Sequence, residues 1–419
     1  MTDRPDREGR PQLERRLGTA DAVVMGLGSM VGAGVFAALA PAAAAAGNGL
    51  LIGLAGAAAV AYFNATSTAR CAARYPESGG AYVYGRKRLG EFWGYLAGWG
   101  FVVGKTASCA AIALIVGSYA WPARSHAIAV VAVIVLTALN YTGIQKSLQV
   151  TRIIVTVVLA ALAGFAAVAM TAPHTDFGRI AIGADVSVHG VLQATGLLFF
   201  AFAGYARIAT LGEEVRDPAR TIPRVIPVAL GIALIGYAVV AVALLAVLGS
   251  PQLAQSAAPI ADAVRAAGIV GYEPVVRAVA VLAALGSLLS LILGVSRTAF
   301  AMARDHYLPQ QLSAVHPTFK TPYRAEIAVG LVVAVLAGTA DVRSAIGFSS
   351  FAVLVYYAIA NASAWTLGGR IVPTLGFFGC IVIALALPLT AVIPGTAVLL
   401  AGAAVYALRR GRSTRKVRR

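Results

Sequence analysis

The sequence predicts an all-α integral membrane protein with twelve transmembrane helices. Two observations carry this. First, 59% of the residues are hydrophobic and only 12% are charged, whereas soluble domains carry about 25% charge. Second, the apolar residues fall into long runs with the basic residues gathered between them. Most runs approach the ~20 residues that cross a hydrocarbon core. They lie at about 20–45, 49–70, 92–118, 125–141, 149–171, 189–212, 225–248, 274–303, 325–339, 344–366, 371–389 and 391–408. The fourth and ninth are short, and the eighth is long enough to tilt.

The basic residues give the orientation. With the N-terminus in the cytoplasm, only Arg124, Arg179, Arg265, Arg277 and Arg343 of the 34 Lys and Arg fall outside. Lys105, Arg207 and Arg297 fall within spans, and the others are cytoplasmic. By the positive-inside rule both termini are expected in the cytoplasm, in a multi-pass cell (inner) membrane protein. The polar tail 1–19 precedes a run too long for a signal peptide and without a convincing cleavage site, so that run is expected to be a retained span. A basic tail, 409–419, closes the chain. The net charge of +17 is spread over loops and tails, which points to the lipid bilayer as partner and not to nucleic acid. Cys71, Cys109 and Cys380 have no metal-ligand spacing, and no metal or cofactor is expected.

The first run is unusual. Glycines at 26, 28, 32 and 34 crowd its centre, in Gly26-Leu27-Gly28-Ser29-Met30-Val31-Gly32-Ala33-Gly34. Each costs about 1 kcal/mol in a helix interior relative to alanine. Two readings compete: close helix packing, or a break whose second half-helix turns free N–H groups to an anion. The sixth run echoes it with Gly196-Leu197-Leu198-Phe199-Phe200-Ala201-Phe202-Ala203-Gly204-Tyr205. This run opens a second set of five. If the sets 20–171 and 189–366 are inverted repeats, their interrupted first helices meet at a midplane substrate site. Helices eleven and twelve, 371–408, stand outside the repeat.

Four stretches, in order, resemble the amino acid–polyamine–organocation superfamily of amino acid permeases. They are Gly28 to Phe36, Tyr75-Pro76-Glu77-Ser78-Gly79-Gly80-Ala81-Tyr82, Glu213-Glu214-Val215-Arg216-Asp217-Pro218, and Ser296-Arg297 through Ala303-Arg304-Asp305 to Leu308-Pro309. The resemblance implies a leucine-transporter-type inverted five-plus-five bundle with discontinuous helices 1 and 6, working by alternating access. It also implies a substrate carboxylate on backbone N–H groups near Gly32, Ala33 and Gly34. The ammonium would meet the carbonyls of Met30, Phe200, Ala201 and Ala203, with Phe202 as a gate. Such contacts are mostly main-chain and leave side-chain choice open.

Lys105 falls within span three, where a Lys costs about 2.5–3.5 kcal/mol on insertion scales. It is a candidate proton carrier, a partner for an acidic substrate, or a structural counter-charge. Some proton-coupled relatives carry a lysine in helix five, where this chain has Val158; cationic transporters carry a glutamate near Gly104. No acidic residue is placed to meet an arginine-like side chain, so a neutral or small amino acid is favoured. Arg207, Glu213, Glu214 and Arg297 are candidates for an inner gate, or plain interface anchors. Ser287 and Ser290 are weaker candidates for a sodium site.

The leading expectation is a secondary transporter of small-molecule amino acids or related amines, coupled to H+ or working by exchange. A substrate-binding sensor on the same fold is the alternative. An intramembrane enzyme is disfavoured, because none of the five histidines pairs with a carboxylate inside a span. No Walker-type phosphate loop is present.

Overall fold

The computed structural model describes residues 18–75, 79–143, 148–173, 175–181, 183, 186–205, 215, 217–269 and 271–417. The first run starts as α1 (Thr19–Met30), stops, and resumes as α2 (Gly34–Ala37) and α3 (Leu39–Ala46). A tight turn at Gly47, whose φ of 54° suits glycine, reverses the chain into α4 (Leu50–Arg74). The short α5 (Ala81–Leu89) leads into α6 (Glu91–Ala120), α7 (Ser125–Tyr141) and α8 (Leu148–Thr171). Helix α9 (Val188–Phe202) ends in a 3-10 turn, Ala203–Tyr205. Then come α10 (Pro218–Gln255), α11 (Pro259–Ala266), α12 (Tyr272–Arg304), α13 (Tyr323–Thr339), α14 (Val342–Trp365), α15 (Ile371–Ala386) and α16 (Leu389–Val417).

Among the described residues, ten helical stretches are long and apolar enough to cross a bilayer. The expected ninth and eleventh spans are helices of 17 and 16 residues, α13 and α15. Local chemistry sets several ends. Ser187 caps α9 by accepting from Gly190 N at 3.0 Å, and Asp341 caps α14 by accepting from Ser344 N at 2.9 Å. Pro218 stands at the start of α10, where its missing N–H costs nothing.

Packing sorts the helices into two groups. Helices α6, α7, α12 and α13 pack on one another; α1, α3, α4, α9 and α10 form a second group. Helix α14 joins them, lying against α6 on one side and α4 and α9 on the other. The core therefore runs along α6 and α14, each 83% buried over its apolar window, against 22% for the peripheral α7 and α16 stretches. Outward faces are apolar too: Val131, Ile134 and Val135 of α7 are exposed. Such a face suits lipid tails, and inside the bundle small and polar residues supply the fit. Asn361 Nδ2 donates to Asn64 Oδ1 at 2.6 Å, and Cys380 Sγ donates to the same oxygen, tying α4, α14 and α15.

Candidate functional site where two broken helices meet

The glycine-rich centre of the first run is a break. Helix α1 ends at Met30, where Val31 N still donates back to Leu27 O at 2.7 Å. Val31, Gly32 and Ala33 form a turn, and α2 starts at Gly34. The first N–H groups of a helix have no intrahelical acceptor, so this turn offers donors at the bundle centre. Of the two readings of the glycines, both hold. They permit the break, and they permit close approach. A β-carbon at Gly32 would overlap the Ser287 hydroxyl of α12, and one at Gly34 would overlap the Ala201 backbone of α9. From the other side, a β-carbon at Gly204 would overlap Ser29 O.

The described end of the sixth run faces this break. Helix α9 loosens after Phe202 into the Ala203–Tyr205 turn. Two side chains stitch the breaks. Tyr237 Oη of α10 lies 2.7 Å from Met30 O and 3.1 Å from Ala201 O. Its single hydrogen is shared between a carbonyl from each broken helix. Lys105 Nζ of α6 donates to Ala203 O at 3.3 Å. Lys105 is 6% exposed, so it does not snorkel to an interface. Three carbonyls expected to receive an ammonium thus already hold donors of the protein, one of them itself an ammonium.

Met30, Gly32, Ala33, Gly34, Ala201, Phe202 and Ala203 are all buried, and Phe200 is half-buried. Phe202, the expected gate, packs on the Tyr237 ring at 5.1 Å between centroids. Among the described residues Ser287 Oγ, buried against Gly32, has no hydrogen-bond partner, while Ser290 bonds its own helix at Gly286 O. Arg297 is exposed on α12, outside this cluster. Arg207, Glu213 and Glu214 lie outside the described residues.

Latches stand on both sides of the breaks. On one, Tyr119 Oη donates to Phe36 O at 3.0 Å and accepts from Ile260 N of α11 at 3.4 Å, holding α2 under that helix. Arg277 donates to Tyr119 O at 3.1 Å and pairs with Glu273 at 2.8 Å. On the other, Asp305 Oδ2 accepts from Tyr82 Oη at 2.5 Å and Arg86 Nη1 at 2.6 Å, fastening α5 to the end of α12. Burial, and then the Asp305 hydrogen bond, push the Tyr82 phenol well above its ordinary range, so it stays a neutral donor. An Arg152–Asp21 ion pair joins α8 to α1.

Sequence reasoning overlooked Tyr237, Tyr119 and the Tyr82–Arg86–Asp305 latch. A signal existed for Tyr237: it is the lone tyrosine in the apolar run 225–248, and a buried phenol needs an acceptor. Tyr82 and Arg86 sit four apart, hence on one helix face, but their acceptor lies 219 residues from Arg86.

The amino acid permease family model matches residues 17–408. An uncharacterized transporter of Mycobacterium tuberculosis is 66% identical over 405 residues, covering 95% of this chain and 92% of the relative. The branched-chain amino acid permease BcaP of Bacillus subtilis is 30% identical over 354 residues, 78% of this chain and 75% of that one. Human cationic amino acid transporter 4 is 29% identical over 386 residues, 84% and 59% of the two chains. These relatives are transporters and not enzymes. The chain is a multi-pass membrane transporter that belongs to the amino acid permease family.

Proposed function

We propose that this protein is a secondary transporter that carries neutral amino acids by alternating access around the paired breaks. The observation that carries the reading is the pair of stitches, Tyr237 on Met30 O and Ala201 O, and Lys105 on Ala203 O. A half-helix N-terminus attracts a carboxylate, and unwound carbonyls attract a cation. The turn at Val31–Ala33 supplies the first, and the Met30, Ala201 and Ala203 carbonyls, with Phe200 beside them, supply the second. The substrate ammonium competes with Lys105 for Ala203 O. When it wins, Lys105 loses its acceptor in an apolar interior and gives up a proton, because a buried unpaired ammonium is the costlier state. This makes Lys105 the site of H+ coupling.

Ten long helices and two short ones support twelve spans in a five-plus-five inverted repeat over 20–171 and 189–366, with 371–408 outside it. The distribution of Lys and Arg supports cytoplasmic tails at 1–19 and 409–419, in the cell membrane. The neutral substrate is favoured by the described site, whose one charged side chain is a cation; the branched-chain name of the Bacillus relative agrees. Arg207, Glu213, Glu214 and Arg297 belong with the inner gate.

Purified protein in liposomes, given a panel of labelled amino acids and amines, tests this. Uptake is measured with pH gradients of either sign, with a sodium gradient, and with unlabelled substrate preloaded. Flux that follows the pH gradient and loses that dependence in Lys105→Ala supports Lys105 as the coupling site. Flux seen only on preloading, and unchanged in Lys105→Ala, makes the protein an exchanger and the lysine structural. Binding without flux moves the protein to a sensor role. No binding and no flux in folded protein removes the reading.

A further inference from the structure

A second ionisable group lies buried in the bundle, away from the breaks. Glu326, in the first turn of α13, is 0% exposed. Both of its carboxylate oxygens lack a hydrogen-bond partner among the described residues. A glutamate at that position often caps the free N–H groups of its own helix; here neither oxygen does so. Helix α13 packs on α6, α7, α12 and the 3-10 turn Gln310–Ser313. Their titratable groups are Glu91, Tyr95, Lys105, Cys109 and Tyr119 on α6, His126 and Tyr141 on α7, and Tyr272, Glu273, Arg277, Arg297 and Arg304 on α12. Among these, Arg297 is the charged side chain near enough to interact with Glu326. Among the described residues Arg297 has no ion-pair partner, and it is exposed.

An ionised carboxylate in an apolar interior, with no hydrogen bond and no ion pair, costs several kcal/mol and takes up a proton instead. We infer that Glu326 is a proton-binding site, separate from Lys105, that is occupied in this conformation. The surroundings supply the route to release. Glu326 sits four residues from Pro322, whose carbonyl accepts its N–H at 3.1 Å, so it stands at the end of the helix nearest water. Along the α7 seam, one turn further in, Thr137 Oγ1 is also buried against Gly330, with no hydrogen-bond partner among the described residues. A shift of α12 against α13 that brings the Arg297 guanidinium onto Glu326 stabilises the carboxylate, and the proton leaves to the water at that end. The O–H bond breaks, the pair of electrons stays on the carboxylate, and Arg297 provides the counter-charge. The group with the altered charge is then in the α6–α7–α12–α13 half of the molecule, not in the half that carries the breaks. The inference goes beyond the transport reading and does not depend on any substrate.

Infrared spectroscopy of the purified full chain in lipid nanodiscs tests it. Ordinary carboxyls, with pKa values near 4, are ionised at pH 7.5, so any protonated-carboxyl C=O band there reports a perturbed group. The expected result is a band at pH 7.5 that Glu326→Gln removes and that titrates away at alkaline pH. In Arg297→Gln its midpoint should move up, since the stabilising cation is gone. Should Glu326→Gln fail to run as a single species, Glu326→Asp serves, and the band must then shift in frequency. A wild-type spectrum with no such band, or a band unchanged in both Glu326 variants, overturns the assignment. A midpoint unmoved by Arg297→Gln overturns the role of the guanidinium.

Discussion

Tyr237 puts one hydroxyl between two helices that have each given up part of their own hydrogen bonding. Removing it leaves Met30 O and Ala201 O buried without that donor, and an unsatisfied buried group costs about 1–3 kcal/mol. Tyr237→Phe keeps the ring against Phe202 and deletes only the bond. It should lower the melting temperature of the detergent-solubilised protein, and uptake should fall because the breaks lose register. A surface group behaves differently. Burial pushes the Asp341 carboxyl up, but hydrogen bonds from Ser344 and neighbouring N–H groups outweigh it and hold the group below the usual carboxylate range. A folded value below the unfolded one, about 3.9, gives stability present above that pH and lost as pH falls through the folded value. Asp341→Ala should therefore cost about 1 kcal/mol near neutrality. The difference from wild type should shrink in thermal melts recorded below about pH 4.

At the scale of the element, the glycines of the first helix separate into those that need their missing side chain and those elsewhere that do not. Gly34 touches the Ala201 backbone, so a methyl there must push α2 and α9 apart. Gly231, within α10, has nothing within 4 Å of its would-be β-carbon. Gly34→Ala should reduce uptake by more than about tenfold, since sub-ångström errors in a site built from main-chain groups are costly. Gly231→Ala should keep wild-type uptake and gain up to about 1 kcal/mol of helix stability. Equal losses in both variants would sink the contrast. Close packing offsets the cost of leaving the helix after Met30: Gly32 lies against Ser287 of α12, and Gly34 against Ala201 of α9.

Across the whole molecule, two sets of side-chain contacts fasten helices around the breaks. Asp305 accepts from both Tyr82 and Arg86, so one carboxylate holds α5 to α12. Beneath it, Ala81 N donates to Tyr356 Oη at 3.1 Å, fixing the start of α5 on α14. Cys71, on α4, is buried, as are Cys109 and Cys380. Charge-assisted hydrogen bonds contribute about 1.5–3 kcal/mol, so Asp305→Asn should loosen α5. The expected readout is thiol labelling of Cys71 at least about tenfold faster than in wild type, abolished by Cys71→Ser. Unchanged labelling would mean that the latch carries no conformational weight.

The membrane class, the helical architecture and the positions of the long spans were legible from hydrophobic run length and charge placement. Both are local properties of the chain, and a bilayer imposes them on any spanning segment. The break in the first run was legible as one of two readings, because a cluster of glycines inside an apolar run is a local cost that asks for a reason; the sixth run, with fewer glycines, gave a weaker signal. What joins the breaks was not legible. The 132-residue separation of Lys105 and Tyr237 carries no pattern, and their acceptors, Ala203 O, Met30 O and Ala201 O, are main-chain atoms that every residue type possesses. The short length of α13 was legible from run counting, whereas α15 stops at Ala386, short of the 371–389 run, just before Pro388. The sequence by itself determined that these segments lie in a membrane and that the first of them concentrates glycines at its centre. Only the tertiary structure decided which donors fill the gaps, because in a hydrocarbon interior a freed carbonyl takes whatever donor the packing brings within about 3 Å.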